Sequence, residues 1–174
     1  WQVCCPASGG AFSAVVYFFG RRLHQELKVP IGLITCAYGA STAEAWIHRD
    51  DLNRNRTLRP LLAAFDQKYA SYEADTEAPR RFSDALAKWE KDQQARRAAG
   101  QKPSRRPANP DPTQDQHNPS VLYNGMIAPV QRYAVRGAIW YQGESNSGSR
   151  QLYPELQRTL IESCLLYTSD AADE

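Results

Sequence analysis

Two continuous apolar runs predict strands that are buried on both faces. Residues 31–37 read Ile-Gly-Leu-Ile-Thr-Cys-Ala, and residues 135–141 end in Ala-Ile-Trp-Tyr. Runs of this length, bounded by Gly or Pro, are typical of parallel strands covered by helices. Each run gives way abruptly to small and polar residues, which is where open α/β sheets place ligand sites.

Apolar residues at helical spacing predict helices beside these strands. The first covers residues 12–27, with Ser13 as its N-cap. A second pattern covers residues 121–133, where Pro129 predicts a short or kinked helix. A third pattern is carried by Leu152, Leu156, Leu160 and Ile161.

Residues 47–120 break this alternation and are interpreted as an insertion into an α/β domain. Apolar positions recur at helical spacing over residues 58–72 and again over 82–89, which predicts two helices that could pack as a hairpin. After Gly100 the chain becomes basic and rich in proline. Such a stretch has no core to build, so we expect an extended surface loop.

Composition and charge exclude several classes of protein. A chain of 174 residues with 42% hydrophobic and 23% charged residues is ordinary for a globular domain. The net charge of +2 is too small to indicate a nucleic-acid partner. No apolar segment approaches the ~20 residues that cross a bilayer, so no membrane partner is predicted. The four cysteines lack C-x-x-C spacing, and no metal site is predicted.

Two short motifs follow the predicted strands and carry the candidate chemistry. Residues 39–46 read Gly-Ala-Ser-Thr-Ala-Glu-Ala-Trp, and residues 142–146 read Gln-Gly-Glu-Ser-Asn. A glycine without Cβ lets its N–H approach a substrate closely, and a glutamine side chain offers an NH₂ donor. Two strand ends of this kind could build one site. No Gly-x-Gly-x-x-Gly or P-loop occurs, so nucleotide binding is disfavoured.

These motifs, with Leu-Tyr-Asn-Gly-Met-Ile at 122–127, resemble the sialate O-acetylesterase family of SGNH (GDSL-like) hydrolases. The resemblance covers residues 1–163 and implies an incomplete three-layer α/β/α flavodoxin-like fold. That fold has a mainly parallel sheet, here with a helical and Pro-rich insertion at about 47–120. Residues 164–174 resemble translated adapter sequence, and we expect a non-native or disordered tail.

The resemblance also assigns catalytic roles. Gly39 matches a block that offers a backbone N–H to an oxyanion hole, and Gln142 matches a block that offers a side-chain donor. The family's usual Gly-Gly-Thr is Gly-Ala-Ser here. Glu144 and Asn146 are expected to support the site. The blocks with the nucleophilic serine and the Asp–His pair have no counterpart in this sequence, so the chain is expected to be an inactive fragment.

The candidate substrate-binding residues are three further polar or aromatic side chains: Trp46, Asn124 and Tyr141. Trp46 and Tyr141 could stack on a sugar ring, although an aromatic residue at a strand end more often packs in a core.

The resemblance implies hydrolysis of acetyl esters on sialic acid or related sugars. The expected partner is an O-acetylated carbohydrate, with no cofactor and no metal, and relatives are often secreted or periplasmic. Two alternatives stay open: an acetylxylan-type esterase, and a non-catalytic carbohydrate-binding relative that has lost the nucleophile. The sugar, the acetyl position and the oligomeric state are not indicated.

Overall fold

The structure is a computed structural model that describes residues 1–169, with side chains as far as Cys164. Its regular elements are helical. The α-helices are α1 (Pro6–Gly9), α2 (Ala14–Leu27), α3 (Arg49–Arg54), α4 (Arg59–Ala74), α5 (Ala78–Ala98) and α6 (Tyr153–Ser169). Short 3₁₀ turns lie at Ala43–Trp46, Pro112–Gln114, Ala128–Val130 and Glu144–Ser149, and a π-helical segment lies at Tyr123–Ile127.

The predicted α/β fold is wrong for the described part of the chain. No strand is present between residues 1 and 169, so these residues form neither a parallel sheet nor a flavodoxin-like three-layer α/β/α domain. The predicted strands at 31–37 and 135–141 have no regular secondary structure. A strand exists only where its backbone pairs with a neighbour, and an apolar run does not reveal whether that neighbour is present. Ile34 and Ile139 are accordingly 39% and 40% exposed.

The chain divides into two compact units. The first comprises Trp1–Gly39 with Gly137–Tyr141, and the second comprises Ala40–Arg136 with the residues from Gln142 onward. The core residues are all found in the second unit among the described side chains: Ala43, Ala45, Trp46, Ile47, Leu52, Leu58, Leu62, Ala78, Leu122, Tyr123, Leu156 and Leu160.

Helix α2 of the first unit forms where the sequence predicted it, with Ser13 at the N-cap position. It ends at Lys28, which has a left-handed φ of 58° and donates its N–H to the His24 carbonyl at 3.0 Å. Gly20 is buried against Leu33, because a Cβ at position 20 would lie 2.6 Å from Leu33 Cδ1. A larger residue at position 20 would require the Leu33 side chain to move.

Helix α6 supplies much of the core of the second unit. Leu156 and Leu160 lie one turn apart and are buried, as the sequence predicted, while Ile161 is half exposed. This face of α6 packs on the turn Ala43–Trp46 and on α3, and α3 also packs on α4. The helix continues to Ser169, and residues 170–174 of the expected tail lie outside the described residues.

Residues 47–120, interpreted from the sequence as an insertion, contain the two predicted helices, α4 and α5, but not the hairpin that they could have formed. Helix α4 packs on α3 and on the turn Pro112–Gln114 instead of along α5. The predicted kinked helix after residue 120 is present as π and 3₁₀ turns on either side of Ala128. No helix of residues 1–169 has both the length and the apolar character needed to cross a bilayer.

Residues 101–108 of the Pro-rich stretch lie outside regular secondary structure and are mostly exposed, as predicted, whereas the residues that follow are more ordered than an extended surface loop. Pro112 is fully buried. Side-chain oxygens in this stretch accept the backbone N–H two residues ahead: Asn109 from Asp111 at 3.0 Å, Asp111 from Thr113 at 2.8 Å, and Asp115 from His117 at 3.0 Å. In such turns, hydrogen bonds from the backbone to a side chain replace the regular backbone–backbone hydrogen bonds. They order a stretch in which each proline lacks an N–H to donate.

Candidate functional site

Two side-chain amides of the second predicted motif form a buried network with the residues that follow Ala40. We call this group the amide network; its members are Ser41, Ala43, Glu44, Gln142 and Asn146. All five lie in the second unit. The network joins segments about a hundred positions apart in the sequence, so the two motifs share one local structure from residue 41 onward.

Asn146 is the centre of the amide network and is only 1% exposed. Its Oδ1 accepts from the Ala43 backbone N–H at 2.9 Å and from Gln142 Nε2 at 2.8 Å. Its Nδ2 donates to Glu44 Oε2 at 2.9 Å, and the Ser149 hydroxyl lies 3.5 Å away. Both ends of the buried amide are thus bonded, which avoids the free-energy cost of an unpaired buried polar group.

Gln142 uses both hydrogens of its NH₂ group inside the protein. Nε2 donates to the Ser41 carbonyl at 2.9 Å and to Asn146 Oδ1 at 2.8 Å. Because an amide NH₂ has only two hydrogens, a third acceptor binds this nitrogen only by replacing one of the two present acceptors. Gln142 therefore holds the backbone at Ser41 in this structure.

The orientation of the two amides follows from their partners. Ala43 contributes a backbone N–H, which can only donate, and Ser41 contributes a carbonyl, which can only accept. These two partners fix which atom of each amide is oxygen and which is nitrogen. The network is therefore chemically self-consistent.

Tyr153, the first residue of α6, holds Gln142 from its other side. Its hydroxyl donates to the Gln142 carbonyl at 2.7 Å, and Gln142 Oε1 lies 3.3 Å from the same hydroxyl. The ring also lies near Gly143, where a Cβ would be 3.5 Å from the Tyr153 hydroxyl. The helix that supplies the core thus also positions the motif.

Local contacts also hold the segment that begins at Ser41. Trp46 is 6% exposed, and its indole N–H donates to the Ser41 hydroxyl at 2.9 Å. The Thr42 hydroxyl donates to the His117 carbonyl at 3.0 Å. Burial of the Trp46 ring favours its core interpretation over sugar stacking.

The remaining predicted site residues are exposed and lie outside the amide network. Gly39 and Tyr141 belong to the first unit, where Tyr141 is 81% exposed and open space surrounds the position of a Cβ on Gly39. Glu144 and Asn124 are exposed residues of the second unit. The convergence of Gly39 and Gln142 stays a prediction.

Sequence reasoning missed four partners of the two amide residues: Ser41, Ala43, Glu44 and Tyr153. The carboxylate in the network is that of Glu44, not the predicted Glu144. Glu44 lies within the first motif, and a buried asparagine needs an acceptor for its NH₂. This requirement predicts that a carboxylate or carbonyl lies near Asn146, but it does not distinguish Glu44 from Glu144.

The described residues contain no group of three or more His, Cys, Asp or Glu side chains placed to hold a metal ion. What the network can do is fix positions. It holds a carbonyl, a backbone N–H and a carboxylate in place through hydrogen bonds, and polar groups held in this way are what a preorganised site requires.

Comparison with curated proteins finds relatives with one name. The sialate O-acetylesterases of Rattus norvegicus and Mus musculus are each 31% identical to this chain, over 158 and 159 residues, or 86% of the chain in both cases. The sialate O-acetylesterase of Homo sapiens is 31% identical over 134 residues, or 77% of the chain. The chain spans 24% of the length of the two rodent proteins and 17% of the human protein.

No family model matches the chain, and no solved structure matches it. The similarity to the curated relatives nevertheless extends over most of the chain and confirms the resemblance seen in the motifs. The chain is therefore similar to the sialate O-acetylesterases, along a segment equivalent to about a quarter of the rodent proteins.

Proposed function

We propose that this chain is part of a carbohydrate O-acetylesterase that hydrolyses acetyl esters on sialic acid or related sugars. The support is the name shared by the curated relatives, sialate O-acetylesterase. Since the chain spans a quarter of their length, the activity is a property proposed for the whole protein.

The structural observation that carries the proposal is the amide network. It ties the segment after Gly39 to the segment after Tyr141, and these are the two segments to which the resemblance assigns oxyanion-hole blocks. A hydrolase that passes through a tetrahedral oxyanion needs donors fixed before the reaction. The network supplies that fixation for Gln142.

In the proposed mechanism, Gln142 exchanges one hydrogen bond during the reaction. Asn146 Oδ1 keeps one hydrogen of Nε2, and the oxyanion takes the hydrogen that Ser41 accepts in this structure. The exchange is favourable because an ionised oxygen accepts a stronger hydrogen bond than a neutral carbonyl. Gly39 is proposed to donate its backbone N–H to the same oxygen.

The covalent step requires a serine activated by a His–Asp pair. The serine attacks the acetyl carbon, the histidine takes its proton and returns it to the sugar oxygen, and water then hydrolyses the acetyl-enzyme. We assign the serine and the His–Asp pair to no residue of this chain. Asn146 and Glu44 act by holding Gln142 and the adjacent backbone, with Glu144 as an exposed supporting residue.

The test uses the complete product of the parent gene. It should release acetate from 9-O-acetyl-N-acetylneuraminic acid and hydrolyse p-nitrophenyl acetate. Gln142→Ala should lower kcat by at least about tenfold, because loss of one oxyanion donor is worth on the order of 10²–10³ in rate. Gln67→Ala, an exposed glutamine of α4, is the matched control and should leave kcat unchanged.

Three results would overturn parts of the proposal. Absence of acetate release from every acetyl ester would favour the carbohydrate-binding alternative. Release from acetylated xylan but not from O-acetylated sialic acid would assign the acetylxylan-type substrate. An unchanged kcat in Gln142→Ala would remove Gln142 from the oxyanion hole while leaving its structural bonds intact.

A further inference from the structure

A cleft of about 450 Å³ opens in the second unit, one hydrogen bond away from the amide network. Helix α4, the start of α3 and residues 113–124 form its walls. We call it the aromatic cleft and define it by six of its lining residues: Arg49, Phe65, Asp66, Tyr69, Ser120 and Asn124. Its volume lies within the ~300–1,000 Å³ range of small-molecule sites.

Two aromatic rings form one wall of the aromatic cleft. Phe65 and Tyr69 lie one turn apart on α4, with ring centroids 6.3 Å apart and planes inclined by 27°. Both side chains are only half-buried. Two aromatic rings that line a cleft provide apolar surface, with a polar tip at the tyrosine hydroxyl.

The charged groups of the cleft neutralise each other and still offer donors. Arg49 Nη2 lies 2.7 and 2.6 Å from the two carboxylate oxygens of Asp66. Nε and Nη1 of Arg49 make no hydrogen bond to the described residues, and a guanidinium has five N–H donors in all. A ligand with hydroxyl groups can use these donors, whereas an anion would also meet the Asp66 carboxylate.

Ser120 connects the aromatic cleft to the amide network. Its backbone N–H donates to the Glu44 carbonyl at 3.0 Å, and the Glu44 side chain binds Asn146. Ser120 is 3% exposed and has a left-handed φ of 62°. Its buried hydroxyl has no hydrogen-bond partner within residues 1–169. Left-handed non-glycine residues and unpaired buried hydroxyls both cost free energy, and such features cluster at functional sites.

We propose that the aromatic cleft binds a neutral pyranose ring of the saccharide that carries the acetylated sugar. The Phe65 and Tyr69 rings contact the apolar C–H face of the pyranose. Arg49, Asp66 and the exposed amide of Asn124 bind its hydroxyl groups. The zero net charge of the ion pair favours a neutral sugar over a sugar acid. Only the link to an acetylated substrate rests on the proposed esterase function.

The experiment measures saccharide binding to the 174-residue chain, so it needs no nucleophile. Lactose is the neutral probe and N-acetylneuraminic acid the anionic probe, each titrated by NMR. Lactose should bind saturably, with a Kd on the order of 1 mM, and more tightly than the anionic probe. Tyr69→Ala should weaken lactose binding at least about fivefold, since aromatic contacts are worth about 1 kcal/mol or more.

Two matched controls separate the cleft from the rest of the surface. Tyr72→Ala changes a tyrosine of α4 that does not line the cleft, and Asn53→Ala changes an exposed asparagine outside it. Both should bind lactose as the unaltered chain does, whereas Asn124→Ala should bind it more weakly. Near-UV circular dichroism checks that each variant keeps its fold.

Absence of saturable lactose binding would overturn the inference, and so would equal binding by Tyr69→Ala and Tyr72→Ala. Tighter binding of N-acetylneuraminic acid than of lactose would overturn the choice of a neutral sugar. The esterase proposal is tested separately through acetate release. Acetate release without lactose binding would contradict only the proposal that the aromatic cleft binds a sugar. Lactose binding without acetate release would contradict only the esterase proposal.

Discussion

Asn146 Oδ1 lies 2.9 Å from the backbone nitrogen of Ala43, although the two residues are 103 positions apart in the sequence. This contact joins two of the motifs from which the family resemblance was drawn. It is formed by a side chain that is almost completely buried and bonded at both ends. The contact therefore makes the local structure of each motif depend on the other.

Replacing Asn146 with alanine should destabilise the second unit strongly. The Ala43 N–H, the Gln142 amide and the Glu44 carboxylate would each lose a partner in a buried place. Leaving buried polar groups unpaired costs ~1–3 kcal/mol each, so we expect a loss of about 3 kcal/mol in the free energy of unfolding. Urea denaturation followed by tryptophan fluorescence measures it. A loss no larger than that of Asn53→Ala, at an exposed asparagine, would contradict the importance of the network.

Tyr153→Phe should have a smaller effect, because it removes a single hydrogen bond from a half-buried hydroxyl. The bond to the Gln142 carbonyl is short, at 2.7 Å, and a net contribution of about 1 kcal/mol is expected. Tyr72→Phe is the control in the same unit and should leave the free energy of unfolding unchanged. Equal stability of the two variants would mean that Tyr153 does not anchor Gln142.

Ala40→Gly should stabilise the chain. Ala40 has a left-handed φ of 57°, a conformation that glycine adopts without a steric cost. The left-handed conformation costs a residue with a Cβ ~1–2 kcal/mol, and glycine avoids this cost. Part of the resulting gain in stability is lost because glycine has more conformational freedom in the unfolded chain. The net gain should be about 0.5–1 kcal/mol in the free energy of unfolding.

Ala64→Gly is the matched control for Ala40→Gly. Ala64 is exposed within α4, where the same substitution should destabilise by about 1 kcal/mol. If both substitutions destabilise, Ala40 does not have the left-handed conformation in solution.

Protonation of the Asp115 carboxylate should lower the free energy of unfolding in acid. Partial burial opposes ionisation of Asp115, but hydrogen bonds from the His117 N–H and ring, with Lys68 Nζ at 3.6 Å, hold the pKa of its carboxyl below the ordinary 3.8. A pKa that is lower in the folded state stabilises fully above the unfolded value and ceases to do so as the pH falls through the folded value.

The measurement compares unfolding of the unaltered chain with that of Asp115→Asn at pH 7 and at about pH 2.5. The asparagine keeps an oxygen for the turn at His117 but carries no charge. The unaltered chain should be more stable at pH 7, and the difference should shrink in acid. Asp84→Asn, on the exposed side of α5, should show no difference at either pH. A difference for Asp115→Asn that is equal at both pH values would refute the charge effect.

The sequence predicted the helices well because their apolar residues repeat within one element. Leu156 and Leu160 were assigned to the core on spacing alone, and both are buried. The prediction of strands is wrong because strand pairing depends on two distant segments, and nothing in residues 31–37 specifies a pairing partner. The same limit applied to the site: Gln142 and Asn146 were named from one motif, but their partners Ser41 and Glu44 come from the other end of the unit.

In the proline-rich stretch, the prediction is wrong only for the residues after 108, and for a different reason. Its composition indicated solvent exposure, yet Pro112 packs against α4 and Ser120 bonds to the Glu44 carbonyl. Short side chains that accept from the backbone two residues ahead order this stretch without an apolar periodicity. Pattern reasoning that depends on periodicity does not detect such order.

Helix α5 extends over 21 residues, of which only Ala78 and Gln93 are buried. Alanine and charged residues with high helix propensity, with ion pairs such as Arg96 to Asp92, keep it folded without a large packed face. The exposed surface of α5 is thus suitable for chemical labelling. A fluorophore or spin label attached at an exposed position there would leave the hydrogen bonds around Asn146 undisturbed.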